Sequence, residues 1–173
     1  GQLKLLETEI HWAQDQAQGA NLVVLFSDIT QRKAAEEELR YLANFDPLTG
    51  LPNRTLFRDR LGHAMTRANR TAQQVALLFL DLDHFKHVND SLGHELGDRL
   101  LKEVAQRLLH AVRSYDTVAR LGGDEFIIIM EDVKETLTTT LVAEKVMQAL
   151  EPPVVLAGHR VSVTPSIGIA LYP

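Results

Sequence analysis

Cysteine is absent from this 173-residue chain, which rules out a disulfide framework and thiolate chemistry and permits a reducing compartment. Long apolar runs are absent as well. The best, Val75 to Leu80, is only strand-sized, far short of the roughly 20 residues a bilayer-spanning helix needs. Basic charge is in short supply: 18 Lys and Arg stand against 23 Asp and Glu, a formal net charge of −5. That balance argues against a partner that is a nucleic-acid polymer, whose phosphates call for a basic surface. It leaves a nucleotide substrate open, because acidic side chains hold a metal that in turn carries phosphates. The opening Gly1-Gln2-Leu3-Lys4 leads into a mixed polar segment and does not read as a signal peptide. A cytoplasmic location is expected, with any membrane anchor lying upstream in a longer parent. Internal repeats and low-complexity tracts are missing too.

What is present is the ordinary balance of a globular protein, 45% hydrophobic and 24% charged, with length for one domain plus an appendage. Leu3 to Trp12 and Leu22 to Phe26 read as two strands joined by the polar stretch Ala13 to Ala20. Two strands do not make a stable module, so residues 1–30 read as the tail of something larger. Residues 31–44 read as a connecting helix with Thr30 as its N-cap and Glu36, Glu37 and Glu38 in its first half. Ala35, Leu39 and Leu42 follow coiled-coil spacing, which suits either a helix lying on its neighbour or a stalk that pairs two subunits.

From Phe45 onward the pattern is α+β. Asn53 caps a helix running to about Asn69, and Val75 to Leu82 is a buried strand. Leu96, Leu100, Leu101, Val104, Ala105, Leu108, Leu109 and Val112 form one face of an amphipathic helix. Val118 to Leu121 and Phe126 to Met130 flank Gly122-Gly123, read as a two-residue hairpin turn. A helix over Lys134 to Leu150 turns Leu137, Leu141 and Val146 inward. Val154 to Leu156 and Arg160 to Ala170 form a second hairpin around Ala157-Gly158-His159. The alternation predicts a mainly antiparallel central sheet flanked by helices.

Asp81 and Asp83 punctuate the end of an apolar strand, where a carboxylate is usually a turn former or helix cap. Asp124 and Glu125 change the weight of that reading, because they follow a Gly-Gly pair whose bare backbone admits a large ligand. With the two strands adjacent, Asp81 and Asp124 face each other across a small gap and repel unless a proton or cation sits between them. Hard oxygen donors suit Mg²⁺, which takes one or two carboxylates and leaves its other positions to water and phosphate. Lys86, Asn89, His94 and Asp98 lie between the two acidic segments. Asn and Asp together read the edges of guanine. Taken singly, Asn89-Asp90-Ser91 reads as a turn and capping cluster and Asp98 as an exposed helix residue.

Arg120-Leu121-Gly122-Gly123-Asp124-Glu125-Phe126 is joined by Phe45-Asp46-Pro47-Leu48-Thr49-Gly50-Leu51-Pro52-Asn53-Arg54 and by Asp81-Leu82-Asp83-His84-Phe85-Lys86. Asn89-Asp90, Gly93-His94, Gly97-Asp98 and Ser166-Ile167-Gly168-Ile169-Ala170 complete the set. Together these segments, in this order, resemble the GGDEF domains over nearly everything from Phe45 onward. The resemblance implies a polymerase-palm-like, nucleotidyl-cyclase-like sheet and a diguanylate cyclase. Such an enzyme condenses two GTP into cyclic di-GMP and two pyrophosphates within an antiparallel homodimer. It implies Mg²⁺, or Mn²⁺ in its place, on Asp81, the Leu82 carbonyl and Asp124. Asp124 would also help deprotonate the 3′-hydroxyl, and Glu125 would add a metal or neighbouring contact. Asn89 and Asp98 would read guanine, Lys86 would steady phosphate charge and His94 would line the nucleotide pocket.

Arg113-Ser114-Tyr115-Asp116 resembles the family's RxxD site, at which cyclic di-GMP inhibits, with Arg113 and Asp116 as its ligands. Relatives add an arginine on the next helix, where this chain offers Lys145, which lacks the planar fork. Residues 1–30, closing on Leu25-Phe26-Ser27-Asp28-Ile29-Thr30, resemble the last strands of a PAS sensor. The family continues past the strand at Ser166 into a further helix and strand with a lysine and an arginine for the triphosphate, so residues 45–173 read as a C-terminally incomplete domain. Two other readings are weighed against the cyclase. One is a GTP- or cyclic di-GMP-binding module without turnover. The other is a dimerisation module regulating a neighbour, such as a downstream phosphodiesterase.

Overall fold

The computed structural model describes residues 4–15 and 19–173, with side chains from 11 to 23 outside that description. Gln16-Ala17-Gln18, in the middle of the expected polar stretch, lie outside the described residues. The chain divides into two compact units, residues 1–42 and 43–173. Among the described residues no helix is long and apolar enough to cross a membrane.

In the first unit β1 (Leu6–Asp15) and β2 (Gly19–Asp28) form an antiparallel hairpin, with Ile10 opposite Val24. The strands run further into the polar stretch than hydrophobicity predicts, since a backbone ladder needs no apolar side chains. The helix α1 (Thr30–Asn44) follows. Its start departs from expectation. The Thr30 hydroxyl accepts from Leu5 N–H at 2.9 Å, while Asp28 receives both the Thr30 N–H at 3.1 Å and its O–H at 2.7 Å. A hydrogen bond from Lys4, reinforced by those from Thr30, holds the Asp28 carboxyl down at about 2. No residue of α1 is buried, and Leu39 is 67% exposed.

The second unit is built on the sheet β4-β5-β3-β8, in which every neighbouring pair is antiparallel. Its strands are β3 (Gln74–Leu82), β4 (Thr117–Gly122), β5 (Glu125–Val133) and β8 (Pro165–Tyr172). Helix α2 (Arg54–Thr71) starts at Asn53, whose side chain accepts from the N–H groups of Thr55 and Leu56, as the sequence predicts. Alternation along β3 sends Ala76, Leu78, Leu80 and Leu82 into the main core with α4 (His94–Ala111) and α5 (Thr136–Leu150). Val75 faces the other way, into a smaller core with Phe57, Ala64 and Ala68 of α2.

Three predicted inward residues are exposed. The α4 stripe runs through Leu100, Leu101, Val104, Ala105 and Leu108, and Leu109 turns off its edge at 45% exposure. On α5 the buried stripe is Thr139, Ala143, Val146 and Leu150. Leu137 and Leu141 lie two positions before stripe residues, a rotation of about 200° on a 3.6-residue turn, and are 62% and 55% exposed. The second hairpin also differs. β6 (Val154–Leu156) and β7 (His159–Val161) turn at Ala157-Gly158, both with positive φ, but the expected long strand breaks after Val161. β8 begins afresh at Pro165, which has no N–H for a continued ladder, and crosses to the main sheet beside β3.

Candidate active site

The signature hairpin turns one residue later than predicted. Gly122 pairs with Glu125, so the two-residue loop is Gly123-Asp124, with an irregularity between Arg120 and Gly122. Gly122 and Gly123 have φ of 142° and 54°, values that side chains rarely tolerate. Asp124 therefore stands at the tip and Glu125 opens β5. Arg120 secures this loop from beneath. Its Nε and Nη2 donate to the Gly123 carbonyl at 3.0 and 2.7 Å, and its Nη1 donates to both Asp46 carboxylate oxygens at 3.0 and 2.9 Å. Asp46 also accepts from the Thr49 N–H at 2.8 Å and hydroxyl at 2.6 Å. Burial pushes the Asp46 carboxyl up, but the Thr49 and Arg120 donors outweigh it and hold the group below its ordinary range. Sequence reasoning missed this role, although both residues lie in quoted motifs.

Asp81 is the penultimate residue of β3, in register with Glu125 on β5 and Ser166 on β8. Alternation places it on the face of Val75, which α2 covers, beyond the 39%-exposed Phe79. β3 and β5, the strands that carry the two acidic segments, are neighbours, as the facing of Asp81 and Asp124 requires. Asp81 is exposed, and Asp124 and Glu125 are half-buried. Among the described residues neither the Asp81 nor the Asp124 carboxylate has a hydrogen-bond or ion-pair partner, and Glu125 lies 3.7 Å from Arg54. The Asp83 N–H donates to Thr164 of the β8 approach at 2.8 Å, so the trans peptide turns the Leu82 carbonyl to the opposite side, where β5 begins. Among the described residues no three His, Asp or Glu side chains form a ready-made metal cage. The donor set nonetheless fits Mg²⁺ chemically, being two unpaired carboxylates and a carbonyl, all hard oxygens, with phosphate left to supply the rest.

Asp83 has a separate task that the sequence did not disclose. Its two oxygens accept from the Ser166 and Thr164 hydroxyls at 2.7 Å each, clamping β8 to the end of β3. Those bonds, Ser166 first, hold its carboxyl below the ordinary range.

The segment after β3 forms α3 (Phe85–Leu92), so Asn89-Asp90-Ser91 is helical rather than a turn. The chain enters through His84 at a φ of 61°, and no side chain caps the helix start, where exposed Lys86 sits. Gly93 breaks α3 from α4, whose first residue is the exposed His94, with exposed Asp98 one turn on. Asn89 is half-buried against α4.

Arg113 and Asp116 lie in the connection from α4 to β4. The Arg113 N–H donates to the Asp116 carboxylate at 3.1 Å, and the Asp116 N–H donates to the Arg113 carbonyl at 3.0 Å. Burial pushes the Asp116 carboxyl up despite that donor. The Arg113 guanidinium donates to the Tyr115 hydroxyl at 2.7 Å and lies 5.7 Å from its ring centre. Lys145 is exposed on α5.

A family profile described as "Diguanylate cyclase, GGDEF domain" matches residues 43–173. The chain is similar to MucR of Pseudomonas aeruginosa, described as a bifunctional diguanylate cyclase/cyclic di-GMP phosphodiesterase. The two are 49% identical over 144 residues, which is 83% of this chain and 21% of MucR. It is also similar to the cyclic di-GMP phosphodiesterase NbdA of the same organism, 39% identical over 145 residues, covering 84% of this chain and 18% of NbdA. Among solved structures, the GGDEF domain of Pseudomonas aeruginosa TpbB (YfiN) superposes with a TM-score of 0.73 at 42% identity. That match covers 75% of this chain and 76% of the other, so the α+β, nucleotidyl-cyclase-like topology is shared. The chain thus spans about a fifth of the length of the curated relatives it matches.

Proposed function

This chain belongs to the GGDEF family, and on that premise we propose that it carries the catalytic half-site of a diguanylate cyclase, joining two GTP into cyclic di-GMP with release of two pyrophosphates. The observation that carries the reading is the pair of unpaired carboxylates, Asp81 and Asp124, at the open ends of adjacent strands. Asp81, the Leu82 carbonyl and Asp124 would hold Mg²⁺ or Mn²⁺. When bound, the metal supplies positive charge against the phosphate oxygens.

The chain's own residues supply the remainder. Asp124, on the loop tip that Arg120 braces, takes the proton from the 3′-hydroxyl that attacks the α-phosphate of the other GTP, with Glu125 beside it. Lys86 and the uncapped start of α3 face phosphate charge with an ammonium and free N–H groups. Asn89 and Asp98 read guanine, and His94 lines the nucleotide pocket. One half-site holds one GTP, so turnover requires an antiparallel homodimer. Arg113 and Asp116 bind the product and inhibit, with Tyr115 competing for the guanidinium. In the parent, the β1–β2 hairpin and the Asp28-capped exit into α1 suit the end of a PAS sensor. A phosphodiesterase domain following in the parent is consistent with the double activity ascribed to MucR.

The test is to incubate the chain with GTP and Mg²⁺ and to identify cyclic di-GMP by chromatography and mass. Product is expected, falling at least about 100-fold in Asp81→Ala and Asp124→Ala, in the range for loss of a charge-stabilising group. Product undiminished in Asp124→Ala would sink the assignment. No product from the parent sequence would leave family membership intact and point to nucleotide binding without turnover.

A further inference from the structure

Asn89 and Gly97 stand on different helices, α3 and α4, and meet at the turn between them. A Cβ built on Gly97 would collide with Asn89 Oδ1, and would lie 3.0 Å from Asn89 Cγ and 3.4 Å from Phe85 Cζ. The first is an overlap that real structures do not tolerate, and the last is ordinary contact. The Asn89 amide oxygen thus occupies the space a side chain at position 97 would fill. Gly97 is buried in the first turn of α4 with no positive φ, so its backbone conformation does not require glycine. Within a helix glycine is disfavoured relative to alanine. The close approach is the physical reason for it here.

We infer that Gly97 is a positioning residue for nucleotide recognition, holding the Asn89 amide in the orientation from which it meets the guanine base. The inference rests on the proposed reading in which Asn89 and Asp98 recognise guanine. It adds that the orientation of Asn89 is set by the absent side chain at position 97. Asp98, the next residue of α4, is exposed and lies about 100° around the helix from the buried Gly97. Filling position 97 leaves the core layers of α4 untouched, because the atom it meets is the free end of a polar side chain. The consequence is a split between folding and binding: Gly97→Ala swings the Asn89 amide away while preserving the helix.

The experiment is a double-mutant cycle on the full chain, read by calorimetric binding of guanosine 5′-[α,β-methylene]triphosphate with Mg²⁺. That probe binds as GTP does but cannot release pyrophosphate. Asn89→Ala and Gly97→Ala are each expected to weaken binding by about 10- to 100-fold, the discrimination carried by a good base contact. The double variant is expected to be no weaker than either single one, since both changes remove one interaction. Cooperative thermal unfolding should persist in all of them. Wild-type affinity in Gly97→Ala beside weakened Asn89→Ala would overturn the positioning role alone, as would additive losses. Loss of the folding transition in Gly97→Ala would also overturn it, because the methyl would then be meeting more than the Asn89 side chain. Wild-type affinity in Asn89→Ala would remove the base-reading role itself, and the inference with it.

Discussion

One guanidinium nitrogen of Arg120 donates to both carboxylate oxygens of Asp46, 74 positions away in the sequence, while the other two grip the Gly123 carbonyl. The side chains are only 10% and 17% exposed. Removing one partner leaves a nearly buried charge behind, a change that costs about 3–5 kcal/mol in fully buried pairs. With residual exposure, Arg120→Ala is expected to cost about 2–3 kcal/mol in urea unfolding. It should also lower turnover by more than the unfolded fraction accounts for, because the Asp124 loop loses its brace. Arg120→Lys should recover only part of either, since an ammonium cannot reach both acceptors through a planar fork.

The same pair imposes a pH dependence with a defined sign. The folded-state carboxyl of Asp46 lies below its unfolded value, so its contribution is complete above the ordinary carboxylate range near pH 4. It is lost as pH falls through the lower folded value. The stability gap between the parent chain and Asp46→Asn should be flat from pH 7 to about 5 and shrink below about 4. A gap that widens on acidification would show the donors to be ineffective.

Asp116 is shifted the opposite way. Its burial disfavours the charged form, so at neutral pH the ionised group detracts from stability, and the loss is relieved as pH falls through its raised value. Asp116→Asn keeps an oxygen acceptor for the Arg113 N–H and should be more stable than the parent at pH 7. That advantage should close under acid, as followed by thermal midpoints across pH. Product inhibition should weaken in the same variant.

Thr139 is 1% exposed, and among the described residues its hydroxyl has no hydrogen-bond partner. Thr139→Val replaces that oxygen with a methyl of nearly the same shape, and should stabilise the chain by about 1 kcal/mol in chemical denaturation. A destabilised variant would mean that the hydroxyl is satisfied after all.

For Asp83 the expectation is local. Asp83→Ala removes the acceptor of both the Thr164 and Ser166 hydroxyls, so amide exchange should accelerate at Ser166 to Gly168 while the β4–β5 hairpin keeps its protection. Uniform acceleration through the sheet would contradict a clamp.

The legible parts of this chain were those with a short-range physical signature. Asn53 announced α2 because an N-cap side chain acts within three residues, and the α4 stripe announced itself through its period. Asp81 and Asp124 stood out locally because one ends a strongly apolar strand and the other follows a Gly-Gly pair, whereas the β3–β5 pairing that brings their segments together is long-range. The failures have specific causes. Leu137 and Leu141 out-score Thr139 and Ala143 in hydrophobicity, yet the helix rotates by the position of Val146 and Leu150. The hairpin turn slipped to Gly123-Asp124 because a Gly-Gly pair can occupy either register, and the bulge beside Arg120 chooses. Asp46 with Arg120, and Asp83 with Ser166, are pairings across 74 and 83 positions that no local pattern encodes.

The strand order has a kinetic consequence. β3 lies between β5 and β8, so Asp81 stands on a sheet edge until β8 has been synthesised and has crossed back to it. A nascent chain that has emerged only as far as Val133 already contains β3, β4 and β5, and with them both proposed metal carboxylates. Its β3 edge, bearing Leu77, Phe79 and Ile-rich neighbours, is then open to pairing with another chain. Closure by β8 is a long-range contact whose loop entropy must be met late. The proposed metal carboxylates are therefore brought together before the edge is protected, and a chain delayed at the β8 step is exposed to aggregation.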